Sequence, residues 1–230
     1  MISVITPTIR NEGLAIVDKA LRRQTYRDIE WLVGSQFKPD HGRWIKDDFK
    51  GGYWTLNRIY NKLIKHSRGE LIVSWQDFTS SDPDCLEKFW IHYQTEPKTI
   101  VTAVGNKYRD ETFMVQTWKD PRERADLGTY YECYPWDIEA NLCSMPREAL
   151  LKVGGFDEQM DFEGYGFDAR GVFERLDMIG YKFKIDQTIK SYSLVHERVN
   201  DWDEHNMLNK WFDYKKQQIK SKRYPVLNYL

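Results

Sequence analysis

Cysteine is scarce in this chain: Cys85, Cys133 and Cys143 are the only three among 230 residues, with no CxxC pair. An odd number without paired spacing excludes a disulfide framework and a thiolate zinc site, and reads as free thiols in a reducing compartment. Long apolar runs are missing too, and none approaches the roughly 20 residues of a membrane helix. The chain opens at Met1-Ile-Ser-Val, already strand-like, so neither a signal peptide nor a membrane span is expected and a cytoplasmic protein follows. Internal repeats and low-complexity segments do not occur. What remains is a composition with 41% hydrophobic and 30% charged residues, that of a soluble globular protein with one well-buried α/β core.

Net charge is -1, but it is unevenly spread. From Lys210 to Arg223 six Lys or Arg stand against the single acid Asp213, so this tail carries +5 and the remainder -6. A basic amphipathic helix of that kind suits a membrane surface, a nucleic acid or an acidic acceptor, or is simply a solvated face. Aromatic residues make up 15% of the chain, with nine Trp. Their faces can stack on sugar C–H groups, although most aromatic residues in any protein are core.

Ile2-Ser-Val-Ile-Thr-Pro-Thr alternates at period two and ends in a proline turn, which predicts a first strand. Leu14, Val17 and Leu21 follow helical spacing, and Ile29–Val33 reads as a second strand. Residues 36–53 are polar and glycine-punctuated, and are expected to form a loop with a Gly51-Gly52 hinge. Leu56, Ile59, Tyr60 and Leu63 predict a helix closed by Gly69 at its C′ position, and Glu70–Trp75 a third strand. A further helix starts near Pro83-Asp84 with Asp84 as N-cap, and Ile100–Val104 is another strand. Residues 106–140 are irregular, aromatic and placed around an acceptor. Strand–helix alternation with short connections implies a parallel, right-handed βαβαβ half-sheet of Rossmann-like type. In such sheets ligands sit outside the carboxyl ends of the strands, here the Thr6–Glu12, Gly34-Ser35 and Gln76-Asp77 turns.

The second half carries the strongest signal. Val153-Gly-Gly-Phe-Asp is followed by Gly164-Tyr-Gly-Phe-Asp168, a helix with Val172, Phe173 and Leu176, and His196 in Leu194-Val-His-Glu-Arg. This order resembles the C-terminal half of GT-A-fold glycosyltransferases of the family-2 type. It is similar in particular to the galactosyltransferase-like branch, with its Gly-Trp-Gly-Gly-Glu-Asp loop and a metal histidine in His-x-Arg. The resemblance covers residues 1 to about 200. It implies one GT-A domain over 1–200, a central mostly parallel sheet flanked by helices, and a basic amphipathic tail over 201–230.

Residue by residue, the resemblance implies a donor site and a reaction. Thr6, Pro7, Thr8 and Glu12 would contact the base and ribose of a nucleotide diphosphate-sugar, with UDP the expected nucleotide. Asn57, Arg58, Gln76 and Asn141 would line the donor. Asp77 and His196 would hold Mn²⁺ (or Mg²⁺), which neutralises the departing diphosphate. Asp168, at a helix start, would remove the proton of an acceptor hydroxyl in an inverting displacement.

The chain departs from the family pattern in three places. Gln76 and Phe78 replace carboxylates beside Asp77, Gly34-Ser35 replaces an Asp-Asp, and the usual Glu-Asp pair is read here as Phe167-Asp168 or Asp168-Ala169. If the base belongs at Ala169, Glu163 or Asp161 would have to serve. Asp77 and Asp168 also admit plain capping or turn roles, and Asp157 a structural one. The acceptor is expected to be a glycan or a lipid-linked molecule. The rival readings are a non-catalytic nucleotide-sugar or glycan-binding protein and an enzyme acting on modified DNA bases.

Overall fold

The computed structural model describes residues 1–48, 55–162, 168–195 and 226–230. Its elements are β1 (Ile2–Pro7), α1 (Leu14–Arg22), β2 (Ile29–Ser35), β3 (Arg43–Lys46), α2 (Leu56–His66), β4 (Leu71–Trp75), β5 (Thr79–Ser81) and α3 (Cys85–Thr95). There follow β6 (Thr99–Tyr108), β7 (Gln116–Trp118), β8 (Tyr130–Glu132), β9 (Leu142–Pro146), α4 (Arg147–Val153), α5 (Gln159–Phe162), α6 (Ala169–Met178) and β10 (Lys182–Leu194).

The main sheet runs β3-β2-β1-β4-β9-β6-β10-β5, with β7 on β6 and β8 on β10. β1 pairs in parallel with both β2 and β4, β2 with β3, and β6 with β10, whereas β9 is antiparallel to its neighbours β4 and β6. The expected mixed, largely parallel α/β architecture is therefore present. Central strands are buried on both faces, which is why β1 and β4 read as near-continuous apolar runs. Two cores result. Ile5, Leu32, Ile59, Tyr60, Leu63, Phe156 and Phe173 fill the face under α2, α4 and α6. Val4, Val17, Leu21, Val73, Trp75, Leu86 and Phe89 fill the face under α1 and α3.

Two local expectations need correction. The 36–53 loop contains β3, an edge strand too short and too polar to show periodicity. Gly69 does not cap α2, which ends at Ser67 in extended conformation. A Cβ at Gly69 would lie 2.5 Å from the Ser3 nitrogen, and the Gly69 amide donates to the Ser3 hydroxyl at 2.8 Å. Close backbone approach, not a left-handed turn, requires glycine there. Residues 106–140 are mostly irregular as expected, with β7, β8 and short 3₁₀ turns at 125–127 and 135–137.

The extreme C-terminus returns to the domain. The Leu227 amide donates to the Val153 carbonyl at 3.0 Å and the Tyr229 amide to the Gly154 carbonyl at 3.1 Å. Gly154 sits at φ +75°, and a Cβ there would lie 1.5 Å from the Leu227 carbonyl oxygen. The Gly-Gly turn is thus fixed by the strap that crosses it.

Candidate functional site

The carboxyl ends of β1, β2 and β4 meet at one edge, as the sheet rule predicts. The Thr8 amide donates to the Gly34 carbonyl at 2.9 Å, joining the first two turns. The Thr8 hydroxyl reaches the Asp77 carboxylate at 2.6 Å, joining the third. Arg10, which sequence reasoning passed over, completes the cluster. Its Nε lies 3.2 Å from Asp77 Oδ2 and its Nη2 3.1 Å from Oδ1, a side-on bidentate pair. Asp77 is 7% exposed and Arg10 19%, so the arginine is the partner nearer the opening. Below it, the guanidinium carbon lies 5.0 Å from the centre of the Phe78 ring. Phe78 has φ 56°, a left-handed conformation that is strained for an aromatic residue. Its amide donates to the Gly13 carbonyl, and its carbonyl accepts from the Leu194 amide. These two bonds hold the strained residue between α1 and β10.

The other residues expected around a donor are distributed unevenly. Thr6 is fully buried, with its hydroxyl between the Trp75 carbonyl and the Trp31 indole, and Pro7 is buried beside it. They build the floor of the crevice rather than its surface. Glu12 is exposed. Gln76 is half-buried, and its backbone N–H donates to the Asn141 backbone carbonyl at 2.9 Å, which brings Asn141 to the end of β4. Gly34 is small because a Cβ there would lie 2.4 Å from Ile59 on α2, so packing explains it.

A second cluster lies at the starts of α2 and α6. Thr55, the N-cap of α2, makes no side-chain cap to the helix and bonds Asp47 instead. The helix amides of Asn57 and Arg58 donate to Asp161 at 3.0 and 2.9 Å, so the cap comes from 104 residues away in sequence. The Asn57 side chain also donates to Asp161 at 2.9 Å and accepts from the Asp168 amide at 2.8 Å. Arg58 pairs through its guanidinium with Asp48 at 3.0 Å. Burial pushes the Asp161 carboxyl up to about 6 against the pull of these donors.

Asp168 faces inward. It is 2% exposed, and its Oδ2 accepts from Arg175 Nη2 at 2.9 Å and from the Asp157 amide at 2.8 Å. Arg175, also 2% exposed, donates to the Gly155 carbonyl at 2.6 Å. A Cβ at Gly171 would lie 1.8 Å from Asp168 Oδ1, so the carboxylate folds back over its own helix start. Burial raises the Asp168 carboxyl and the Arg175 charge opposes that rise. Asp157 accepts from the Tyr229 hydroxyl at 2.8 Å and from the Gln159 amide at 3.1 Å, the structural role expected of it. Arg175 was legible as the residue seven positions after Asp168, two turns along the same helix face.

His196, Glu163, the Gly164–Phe167 loop, the Gly51-Gly52 hinge and the Lys210–Arg223 segment lie outside the described residues. Among the described residues no three His, Cys, Asp or Glu side chains converge as a metal site. Nor does Asp77 present itself to a divalent ion, because Arg10 covers both of its oxygens. Asp77 as arranged is not open to the expected Mn²⁺, and its expected co-ligand His196 lies outside the described residues. No described helix is long and apolar enough to cross a membrane.

No family model matches the sequence, and neither does any curated protein. Solved structures do match in three dimensions. GalNAc-T7 with UDP, GalNAc and Mn²⁺ superposes with TM-score 0.65 at 12% identity, over 85% of this chain and 44% of that one. The mannosyltransferase PcManGT from Pyrobaculum calidifontis, with GDP-Man and Mn²⁺, gives 0.62 at 17% identity, over 86% and 58%. The chain therefore spans about half the length of these proteins. Likeness at such low identity establishes architecture alone, and that architecture is the GT-A fold of nucleotide-sugar glycosyltransferases.

Proposed function

We propose that this protein is a glycosyltransferase that moves a sugar from a nucleotide-diphosphate donor, UDP-linked in the first instance, to a hydroxyl acceptor. The observation that carries the reading is the convergence of Thr8, Arg10 and Asp77 at the carboxyl edge of β1 and β4. In doubly wound sheets this edge is where ligands bind. The fold is shared with glycosyltransferase structures solved with UDP and with GDP-Man. Asn141, Gln76, Asn57 and Arg58 belong to the same reading as residues along the donor, with Glu12 at its rim. The acceptor is a glycan or a lipid-linked molecule, bound over residues 106–140.

Inverting displacement at the anomeric carbon requires a carboxylate that accepts the hydroxyl proton. In this reading the base comes from the acidic segment between Asp161 and Asp168. Asp168 can act only if its pair with Arg175 opens, and Glu163 is the rival carboxylate. Loss of turnover in Asp168→Asn at unchanged melting temperature would assign the base to Asp168. Loss in Glu163→Gln alone would assign it to Glu163.

Calorimetric titration of UDP and GDP, followed by assay of UDP-sugar hydrolysis, tests the reading as a whole. Micromolar nucleotide binding with slow release of UDP from a donor supports an enzyme. Binding without hydrolysis or transfer would leave a non-catalytic nucleotide-sugar module. Binding of neither nucleotide would remove the donor site altogether. Mn²⁺ held by Asp77 and His196 is the second reading, favoured by the Mn²⁺ named in both similar structures.

A further inference from the structure

We infer that Arg10 supplies the cationic contact to the donor's diphosphate, with Asp77 positioning its guanidinium, and that nucleotide binding in this crevice needs no divalent ion. The inference rests on the donor-site reading above and concerns only how the charge is met.

The geometry favours a fixed arginine over an ion. Both Asp77 oxygens are taken by one edge of the Arg10 fork, at 3.1 and 3.2 Å. The Thr8 hydroxyl takes Oδ2 as well at 2.6 Å, a distance typical of an O–H donor on a carboxylate. The same Thr8 oxygen accepts from the Arg10 amide at 2.9 Å, so backbone and side chain of Arg10 are held by one residue. Phe78 supports the flat face of the guanidinium from a strained backbone that two hydrogen bonds enforce. Strain retained at such a position points to a function for the geometry it holds. Gly13 leaves room for that ring, since a Cβ there would lie 2.5 Å from Phe78 Cδ2.

The residue chemistry agrees. Gln76 and Phe78 flank Asp77, so the turn offers one carboxylate where a hard divalent ion prefers several oxygens. A divalent ion on Asp77 would have to displace a guanidinium from a carboxylate that is 7% exposed. Guanidinium recognises phosphate oxygens bidentately, keeps its charge at every relevant pH, and requires no second ligand. Asp77 in this arrangement is a positioning residue: it orients the fork and lowers the cost of holding a cation near the floor of the crevice.

The test is calorimetric titration of UDP and GDP into the full chain, in EDTA and in excess Mn²⁺. It uses the wild type, Arg10→Lys, Arg10→Ala, and the paired Arg10→Gln/Asp77→Asn variant, which strands no buried charge. Thermal melts establish that each variant is folded. Wild-type affinity should agree within about threefold with and without the metal. Arg10→Ala and the paired variant should each bind at least about tenfold more weakly, the loss of a charged hydrogen bond, and Mn²⁺ should not rescue them. Arg10→Lys, which keeps the charge and loses the fork, should fall between.

Electron paramagnetic resonance of Mn²⁺ with the protein alone gives an independent readout. Little or no bound Mn²⁺ is expected, with no change in Asp77→Asn. Nucleotide binding that requires Mn²⁺, normal binding by Arg10→Ala, or wild-type Mn²⁺ that Asp77→Asn releases would each overturn the Arg10 assignment and leave the donor site standing. Absence of UDP and GDP binding under every condition would overturn the donor-site reading and this inference with it.

Discussion

Two buried carboxylates in this protein are each clasped by an arginine, and the pairs differ in solvent access; the closed pair is called the strut below and the pair at the opening the candidate site. Asp168 and Arg175 are both 2% exposed, and their side chains also reach the Asp157 amide and the Gly155 carbonyl. These two bonds tie the start of α6 and Arg175 to the Gly-Gly turn. Asp77 is also buried, at 7% exposed, but Arg10 is 19% exposed at the edge where three strand ends meet. The chemistry is the same, and solvent access on the cationic side decides what each pair can do. Motif reading alone had weighted the two aspartates alike, one as metal ligand and one as base.

The sharpest way to break the comparison is to remove each arginine in turn. Arg175→Ala leaves Asp168 as an uncompensated buried charge, which costs about 3–5 kcal/mol. For a chain of this size the melting temperature should drop by roughly 10 °C or more. Arg10→Ala should cost about 1–2 kcal/mol, since water reaches that pair more easily, while weakening nucleotide binding as described above. Equal losses of stability, read from urea unfolding of both variants, would erase the distinction between strut and site.

The strut depends on the Gly-Gly turn and the C-terminal strap across it. Gly154→Ala sets a Cβ against the Leu227 carbonyl at φ +75°. A loss of about 2 kcal/mol is expected, and truncation before Leu227 should abolish most of the difference between Gly154→Ala and wild type. A Gly154→Ala penalty that survives truncation would assign the glycine to its backbone angle alone.

A pH-dependent effect is expected at Asp161. Its carboxyl is raised from the ordinary range to about 6 by burial, so the folded state holds its proton more tightly than the unfolded chain. Its contribution to stability is full below pH 4 and falls as pH rises toward 6, by an amount of order 2 kcal/mol. The difference in unfolding free energy between wild type and Asp161→Asn, measured from pH 4 to 7, should shift in that direction. A flat difference would mean that the capping amides of α2 offset the burial.

Much of the fold was legible because period is a local property. The strand at Ile2–Pro7 and the helix carrying Leu14, Val17 and Leu21 are present with nearly the expected bounds, although β1 is buried along its whole length and not on alternate residues. β3 escaped because four residues of an edge strand carry no periodic burial to read. Gly69 was misassigned because a glycine after a helix has two physical reasons to be there, and only the neighbouring Ser3 backbone tells them apart. In the candidate site, the turns that would converge were predictable from strand direction, whereas Arg10 lay unnoticed inside one of them.

The sequence by itself determined which residues form strands and helices, that they build a central, mostly parallel α/β sheet, and that Asp77 follows a strand at the carboxyl edge of that sheet. Those follow from pattern and chain direction, which are written locally. Only the tertiary structure decided that Asp77 is paired with Arg10, that Asp168 turns inward to Arg175, and that α2 is capped by Asp161 from 104 residues away. A carboxylate takes its role from the cation and the solvent it meets. Those partners are set by how distant segments pack, which no spacing along the chain records.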